Sequence, residues 1–204
     1  RFEDPALGDD IATAIAADTS GHVYVTGYSW DNVTRYDYLT IAYSSSGSEL
    51  WIDRLHVKTD DLARAVAVDA NGIVYVTGYI DAAGTFFSPE FFTVAYTGTG
   101  TLLWTNRYDV PGAISEARAL AVDQDHNVYV AGRSDTISTR DFALIKYVNM
   151  QPAKMLTTTV LPSGQVQVLM EGTPGIAYRI ERTLCFPGSW IPIGATTPGT
   201  NGIG

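Results

Sequence analysis

The chain has 204 residues, of which 46% are hydrophobic and 17% charged, with 19 glycines and one cysteine. This length can bury a sizeable core, and no apolar run approaches the roughly 18 residues that a transmembrane helix requires. A single cysteine excludes a disulfide framework and a multi-cysteine zinc site. The net charge of −9 argues against nucleic acid as a partner, because backbone binding needs an excess of Lys and Arg.

One unit of about 53 residues is present three times. Its constant string alternates Val and Tyr before a glycine: HVYVTGYS (22–29), IVYVTGYI (73–80) and NVYVAGRS (127–134). An alanine-rich run that ends in aspartate precedes each string: 12–18, 63–69 and 117–123. An acidic residue and an aromatic or apolar run follow it: DYLTIAY (37–43), EFFTVAY (90–96) and DFALIKY (141–147). A tryptophan segment completes the first two units, and Trp51 and Trp104 are 53 residues apart.

Each unit is predicted to form four short antiparallel strands. Its runs are rich in β-branched and aromatic residues, and Gly, Asn, Asp or Ser clusters bound them. In the hairpin between strands one and two, Gly21, Gly72 and His126 occupy a position suited to positive φ. Four-stranded units repeated at this period predict β-propeller blades. The alanine-rich strand is then innermost, where only methyl groups fit, and the tryptophan strand is outermost.

The motifs resemble the bacterial β-propeller repeat known as SBBP. The similarity lies in D-x-x-G-N-V-Y-V-T-G, followed by D-Y-x-T-I-x-Y and L-W-x-x-R-Y, and covers residues 1–150. The resemblance implies an all-β propeller fold in a secreted or cell-surface bacterial protein, and it implies no reaction. Only three units are present, whereas a closed ring needs about four to eight. We therefore expect a partial propeller, completed by further blades of a longer parent chain or by a second copy.

Residues 151–204 follow a different pattern. Four candidate strands separated by Pro- and Gly-containing turns predict a small β-sandwich: 155–161, 165–171, 177–183 and 189–195. The spacing of Tyr178, Glu181 and Trp190 resembles a module near the C-termini of secreted proteins from Verrucomicrobia-like bacteria. Such a module needs one more strand after residue 204, so we expect it to be truncated.

No motif typical of catalysis or of transition-metal binding is present. His22, His56 and His126 are scattered and form no H-x-H or H-x-x-x-H pair, which favours structural or solvent-exposed roles. Cys185 lies in a loop between two candidate strands with no histidine close in sequence. We therefore expect neither a catalytic residue nor a tightly bound cofactor.

Calcium is a weaker hypothesis at one hairpin turn. Asp123, Asp125 and Asn127 reproduce the spaced oxygen ligands of a calcium loop, but the glycine and the distal glutamate are missing. Asp18 and Asp69 occupy the same turn without a second acid. A turn cap is therefore favoured over a metal ligand.

Acidic residues recur at fixed positions of the unit. Asp37, Glu90 and Asp141 begin the third strands, and Asp10 and Asp61 lie just before the first strands. Both groups are expected at one end of the blades, because the connections that leave strands two and four emerge together. The favoured interpretation is that they accept hydrogen bonds and fasten loops; a ring of ligand-binding acids is the alternative.

The connections between strands two and three vary, as binding loops on a rigid scaffold do. They span residues 29–36, 80–90 and 134–140. Trp30, Tyr36, Phe86 and Phe87 add aromatic side chains that can grip a protein or stack on a sugar. Packing of these rings back onto the blade is an equal alternative.

The sequence thus predicts a non-catalytic binding or assembly scaffold that recognises a protein or glycan partner through its variable loops. One alternative is a carbohydrate-binding or carbohydrate-active propeller, and another is a structural subunit of an extracellular assembly. An enzyme should show two converging acids with raised pKa values in a closed cleft. A binding module should show exposed aromatic residues without such acids, and a structural subunit should bury its edges against another chain.

Overall fold

A computed structural model describes residues 8–81, 89–110, 112–136 and 141–148, together with the backbone of four strands beyond residue 153. The chain divides into two compact units, Arg1–Tyr147 and Val148–Gly204. All regular elements in these described parts are β-strands. They include no helix that could cross a lipid bilayer.

The first unit contains three consecutive antiparallel blades, each formed in chain order; a single parallel bridge between Tyr36 and Asp60 joins the first two into one eight-stranded sheet. Blade one consists of β1 (Asp10–Ala17), β2 (Val23–Asp31), β3 (Arg35–Tyr43) and β4 (Glu49–Leu55). Blade two consists of β5 (Asp60–Val68), β6 (Val74–Asp81), β7 (Pro89–Tyr96) and β8 (Leu102–Tyr108). The described strands of blade three are β9 (Ile114–Val122), β10 (Val128–Asp135) and β11 (Phe142–Tyr147). The predicted β-propeller blades are confirmed, and the described strands do not close into a ring.

The first strands lie at the inner edge of the blades, as predicted. β1 contacts β5, and β5 contacts β9, whereas the tryptophan strands β4 and β8 lie at the opposite edges of their sheets. Ala63 and Ala117 are fully buried. Ala119 and Ala121 are exposed, so the expected restriction to methyl groups does not extend along the whole of β9.

A β-bulge explains the constant glycine of the repeat. The pairing of each first strand skips one residue opposite this glycine: Thr13, Arg64 and Arg118. The bulge pushes a backbone carbonyl against the second strand, so that a Cβ on Gly78 would lie 2.1 Å from the carbonyl oxygen of Leu62. The corresponding distances are 1.9 Å at Gly27 and 2.0 Å at Gly132. No side chain fits at these positions unless the backbone moves.

Tryptophan side chains fill the space between neighbouring blades. The ring centroid of Trp51 lies 6.1 Å from that of Tyr24 in its own blade and 5.7 Å from that of Tyr96 in blade two. The indole nitrogen of Trp51 donates a hydrogen bond to the carbonyl of Gly98 at 2.9 Å. The outermost position of the tryptophan strand thus has a packing reason: large rings occupy the gap between two adjacent sheets.

Aspartate side chains fasten the hairpins between first and second strands. The carboxylate of Asp69 accepts the backbone N–H groups of Asn71 and Ile73, each at 2.9 Å. The third turn position has positive φ in all three blades: 81° at Gly21, 76° at Gly72 and 62° at His126. These turns match the prediction.

Residues beyond 153 form two antiparallel hairpins. β12 (Lys154–Val160) pairs with β13 (Val166–Glu171), and β14 (Tyr178–Arg182) pairs with β15 (Ile191–Thr196). Four strands are therefore present close to the predicted positions. Their arrangement as a sandwich stays a prediction, and Cys185 and Trp190 lie outside the described residues.

Candidate functional site

The two ends of the blades differ in character. We call the end that carries the β2–β3 connection (32–34) and the β4–β5 connection (56–59) the loop end, and the opposite end the turn end. At the loop end of blades one and two, Asp37 from the start of β3 and Asp61 from the start of β5 approach His56. We call these three residues the acid–histidine cluster.

The acid–histidine cluster is compact. The Nδ1 atom of His56 lies 2.9 Å from Oδ1 of Asp37 and 3.7 Å from Oδ2 of Asp61. One candidate ligand atom from each residue lies within 4.8 Å of the other two, and in the described part of the chain no other His, Cys, Asp and Glu side chains form such a group. Both aspartates are buried, while the His56 side chain is 46% exposed. The imidazole is therefore the solvent-facing member.

The second carboxylate oxygen of Asp37, Oδ2, accepts hydrogen bonds from two other side chains. Thr34 Oγ1 donates a hydrogen bond to Asp37 Oδ2 at 2.7 Å, and the Arg54 guanidinium reaches the same oxygen at 3.4 Å. Arg54 also donates to the hydroxyl of Ser29 at 2.6 Å, and Ser29 in turn donates to Asp10. These contacts fix the orientation of the Asp37 carboxylate and leave Oδ1 directed at His56.

Asp61 fastens the connection between the blades. Its Oδ2 atom accepts the backbone N–H groups of Val57 at 2.6 Å and Lys58 at 2.9 Å. Burial raises the pKa of Asp61 to about 6, even though these hydrogen bonds act in the opposite direction. The carboxylate is therefore a buried charge that its surroundings only partly compensate.

Sequence reasoning did not find the role of His56. It placed Asp37 and Asp61 at the same end of the blades but treated the histidine as an isolated residue after an outer strand. The usable signal was that His56 follows β4 directly, so that it emerges beside the connection that leaves β2.

Aromatic residues form a second feature of the loop end. The Trp30 and Tyr36 rings pack edge to face at 4.9 Å, and the Arg35 guanidinium lies 5.8 Å from the Trp30 ring. We call these three residues the aromatic patch. Trp30 and Tyr36 are half-buried, so each ring packs on the other and part of its surface stays exposed to solvent. At the tip of the same connection, Val33 is 89% exposed.

The remaining predicted site residues lie apart from this cluster. Glu90 forms an ion pair with Lys58, whereas Asp141 is exposed and its backbone carbonyl accepts the N–H of Ser134 at 2.9 Å. Phe86 and Phe87 lie outside the described residues.

Asp123 acts as a turn cap in this structure. Its carboxylate accepts hydrogen bonds from the backbone of Asp125, from the backbone and side-chain amide of Asn127, and from the Tyr129 hydroxyl, all at 2.8–2.9 Å. The hydrogen bond from the Asn127 amide is the largest of the effects that lower the pKa of Asp123 to about 2. The weak calcium hypothesis at Asp123, Asp125 and Asn127 stays a prediction.

An apolar cavity of about 240 Å³ lies on the face of blade one that points away from blade two. Its walls are mainly aliphatic and include Val25, Leu39 and Ile41, and Asp10 also lines it. These wall residues occupy the repeat positions of Val76, Phe92 and Val94, which blade two buries at its contact with blade one. The cavity therefore lies on a surface built like a contact face between blades.

Four-stranded antiparallel blades that repeat in sequence and pack face to face define a β-propeller repeat protein. In agreement, the model of the SBBP family, described as a beta-propeller repeat, matches residues 6–33. The chain is also 27% identical over 107 residues to an uncharacterized WD repeat-containing protein of Acanthamoeba polyphaga mimivirus. That match covers 45% of this chain and only 8% of the viral protein.

Proposed function

We propose that this chain is a non-catalytic interaction scaffold, secreted or displayed on a bacterial cell surface, that contacts its partner with the loop end of its blades. The observation that carries the proposal is the contrast between a constant frame and variable β2–β3 connections. Propeller repeats form rigid supports, and loops on such supports tolerate sequence change and carry recognition. The localisation is supported by the resemblance to SBBP repeats.

The connection of blade one is suited to recognition because it is rigid and exposed. The Asp31 carboxylate accepts the N–H groups of Val33 at 2.7 Å and of Thr34 at 3.2 Å, which fixes the turn. Val33 at the tip of this connection is exposed, and Trp30 and Tyr36 of the aromatic patch pair with each other at the base of the same hairpin. A preorganised apolar tip next to aromatic rings loses little conformational entropy on binding.

The acids at the loop end favour a scaffold over an enzyme. Asp37 and Asp61 converge, but both are buried and both accept hydrogen bonds that hold strands or loops. Asp60 is also buried, which raises its pKa, and it faces Arg35 at 3.2 Å. Buried carboxylates that are engaged in this way are poorly placed to contact a substrate.

Photo-crosslinking from the two ends of blade one tests the proposal. A photoreactive amino acid at Val33 samples the loop end, and one at Ser46, in the exposed β3–β4 turn, samples the turn end. We expect one reproducible protein adduct from Val33 in extracts of the source organism, and its loss when Trp30→Ala is added. Equal labelling from both ends would contradict recognition by the loop end.

A glycan is the second candidate ligand. The observation that favours it is the half-exposed Trp30–Tyr36 pair with the Arg35 guanidinium beside it, since aromatic rings stack on sugars and guanidinium groups donate hydrogen bonds. A glycan array distinguishes the two candidates. Binding that Trp30→Ala abolishes supports the glycan, and cleavage of a bound glycan contradicts the non-catalytic scaffold.

We further propose that the outer faces of blades one and three pack against other blades of the same repeat, from a second copy or from elsewhere in the polypeptide. On blade three, Phe142 is 87% and Leu144 63% exposed, although the position of Phe142 corresponds to the fully buried Phe91 of blade two. Large contiguous apolar surfaces of this kind are rare on soluble monomers.

Engineered cysteines test the version with a second copy. Between blades one and two, the Thr13 hydroxyl donates to the Ala63 carbonyl at 2.9 Å, and the equivalent positions on the outer faces are Arg118 and Ala12. In a Cys185→Ser background, Ala12→Cys with Arg118→Cys should yield a disulfide-linked dimer. A monomer in sedimentation equilibrium, with rapid hydrogen exchange along β1 and β11, would contradict both versions.

A further inference from the structure

We propose that Asp37, His56 and Asp61 bind one divalent transition-metal ion of the zinc type at the junction of blades one and two. Nothing in the proposed scaffold function requires this ion. The inference concerns a site that would link β3 of the first blade, the β4–β5 connection and β5 of the second blade.

The distances between the candidate ligand atoms suit a coordination sphere. Zinc binds imidazole nitrogen and carboxylate oxygen at about 2.0–2.2 Å, so neighbouring ligand atoms around it lie about 3.0–3.5 Å apart. The Nδ1 atom of His56 is 2.9 Å from one carboxylate oxygen and 3.7 Å from the other. A small adjustment of the half-exposed imidazole brings both separations into this range.

Hydrogen bonds fix the orientation of both carboxylates, although in different ways. Asp37 receives Thr34 and Arg54 on Oδ2, which leaves Oδ1 for the ion. On Asp61, the oxygen that lies 3.7 Å from His56 Nδ1 itself accepts the backbone N–H groups of Val57 and Lys58, so the ion would share this oxygen with the two donors. Hydrogen bonds that orient ligands in this way are characteristic of metal centres and contribute strongly to affinity.

Charge and ligand type both favour a divalent transition metal. The Arg54 guanidinium contacts Asp37, and the ammonium of Lys58 contacts Glu90, while Asp61 is a second buried carboxylate beside Asp37. Imidazole together with carboxylate suits zinc and similar ions, whereas calcium and magnesium prefer oxygen ligands alone. A metal ion binds imidazole through a nitrogen that carries no proton, so coordination at Nδ1 would replace the present contact between His56 Nδ1 and Asp37 Oδ1.

The chain supplies a matched control. The Nδ1 atom of His22 lies 2.9 Å from Asp18, as that of His56 does from Asp37, and His22 is similarly exposed. In the described residues, however, no second carboxylate joins the pair formed by His22 and Asp18. His22→Gln and His56→Gln thus remove equivalent histidine–aspartate contacts. Only His56→Gln removes a histidine that lies close to two aspartates.

Zinc titration of the full chain after metal removal, followed by calorimetry, tests the site. We expect one zinc ion per chain in the wild type and in His22→Gln, and an affinity at least about 100-fold weaker in His56→Gln. Circular dichroism verifies that each variant is folded. The absence of stoichiometric zinc binding in the wild type, or equal affinities in all three proteins, would overturn the proposal.

X-ray absorption of the zinc-loaded wild type keeps the test independent of the stability of the variant. One imidazole and at least two further oxygen ligands should surround the ion. A sphere with two imidazoles or with none would overturn the assignment. A site that binds calcium or magnesium more tightly than zinc would equally overturn it.

Discussion

Blades one and two meet at a first junction, and blades two and three meet at a second. Both junctions pack a tryptophan between two tyrosines, but they differ at the loop end. Trp104 lies 6.0 Å from Tyr75 and 5.6 Å from Tyr147, which repeats the packing of Trp51 at the first junction. At the loop end, Asp37, His56 and Asp61 correspond to Glu90, Asp109 and Ser115. Packing between sheets therefore constrains the frame, whereas the loop end is free to carry different chemistry.

The largest expected effect comes from Gly78, the constant glycine of blade two, the blade that takes part in both junctions. Gly78→Val places a branched side chain where a Cβ already meets the Leu62 carbonyl at 2.1 Å, and overpacking against backbone costs more than relaxation recovers. We expect the free energy of unfolding in denaturant titrations to fall by more than about 3 kcal/mol.

Gly47→Ala is the control for this substitution. Gly47 has φ of 83°, and a Cβ there would meet no atom within 4 Å, so the change costs only the strain of positive φ, about 1 kcal/mol. Equal losses for the two variants would mean that conformational freedom, and not close approach, explains the constant glycine.

The tryptophans test whether the two junctions are equivalent in packing. Trp51→Ala and Trp104→Ala each remove a half-buried ring that lies between two tyrosines. Each should cost about 3 kcal/mol, near the lower limit for loss of a large buried aromatic side chain. Thermal and chemical unfolding measure both losses. If the losses of unfolding free energy for the two variants differ by more than about 2 kcal/mol, the two junctions are not equivalent in packing.

The frame could be predicted from the sequence because every blade repeats the same periodicity, turn residues and tryptophan spacing. What the repeat could not reveal was the reason for Gly78, since the bulge at Arg64 is visible only in the strand register. The acid–histidine cluster escaped prediction for a related reason. His56 occurs in one blade only, and its approach to Asp37 depends on how adjacent sheets are oriented.

The loop-end difference should appear in the pH dependence of stability. The folded pKa of Asp61 is raised to about 6 by burial, whereas in the unfolded chain an aspartate titrates near about 3.9. The folded state therefore binds more protons between these values, so Asp61 lowers stability progressively as pH rises from about 4 to about 6. In EDTA, Asp61→Asn should gain about 2 kcal/mol relative to the wild type between pH 4 and pH 7.

The exposed Asp109 at the other junction provides the control, because Asp109→Asn removes a carboxylate that is not buried. Urea titrations at several pH values give the differences. If Asp61→Asn and the wild type have parallel stability curves, the Asp61 carboxylate is not a buried charge.

The smallest expected effect concerns the turn end, where the second junction has a contact that the first does not repeat. The Nδ1 atom of His126 in blade three lies 2.9 Å from Oδ2 of Asp69 in blade two, whereas blade two has Gly72 at the position of His126. His126→Gly removes this hydrogen bond and the 3.2 Å contact of His126 Nε2 with the side-chain amide of Asn71, together worth about 1 kcal/mol. It also relieves the strain of φ at 62°, worth a similar amount. We expect the free energy of unfolding of His126→Gly, measured by chemical unfolding, to stay within about 1 kcal/mol of the wild type. His126→Ala loses the contact and keeps the strain, so it should lose more stability than His126→Gly. Both variants lose the contact, so a larger loss in the glycine variant than in the alanine variant would show that relieving the positive φ at residue 126 does not stabilise the protein.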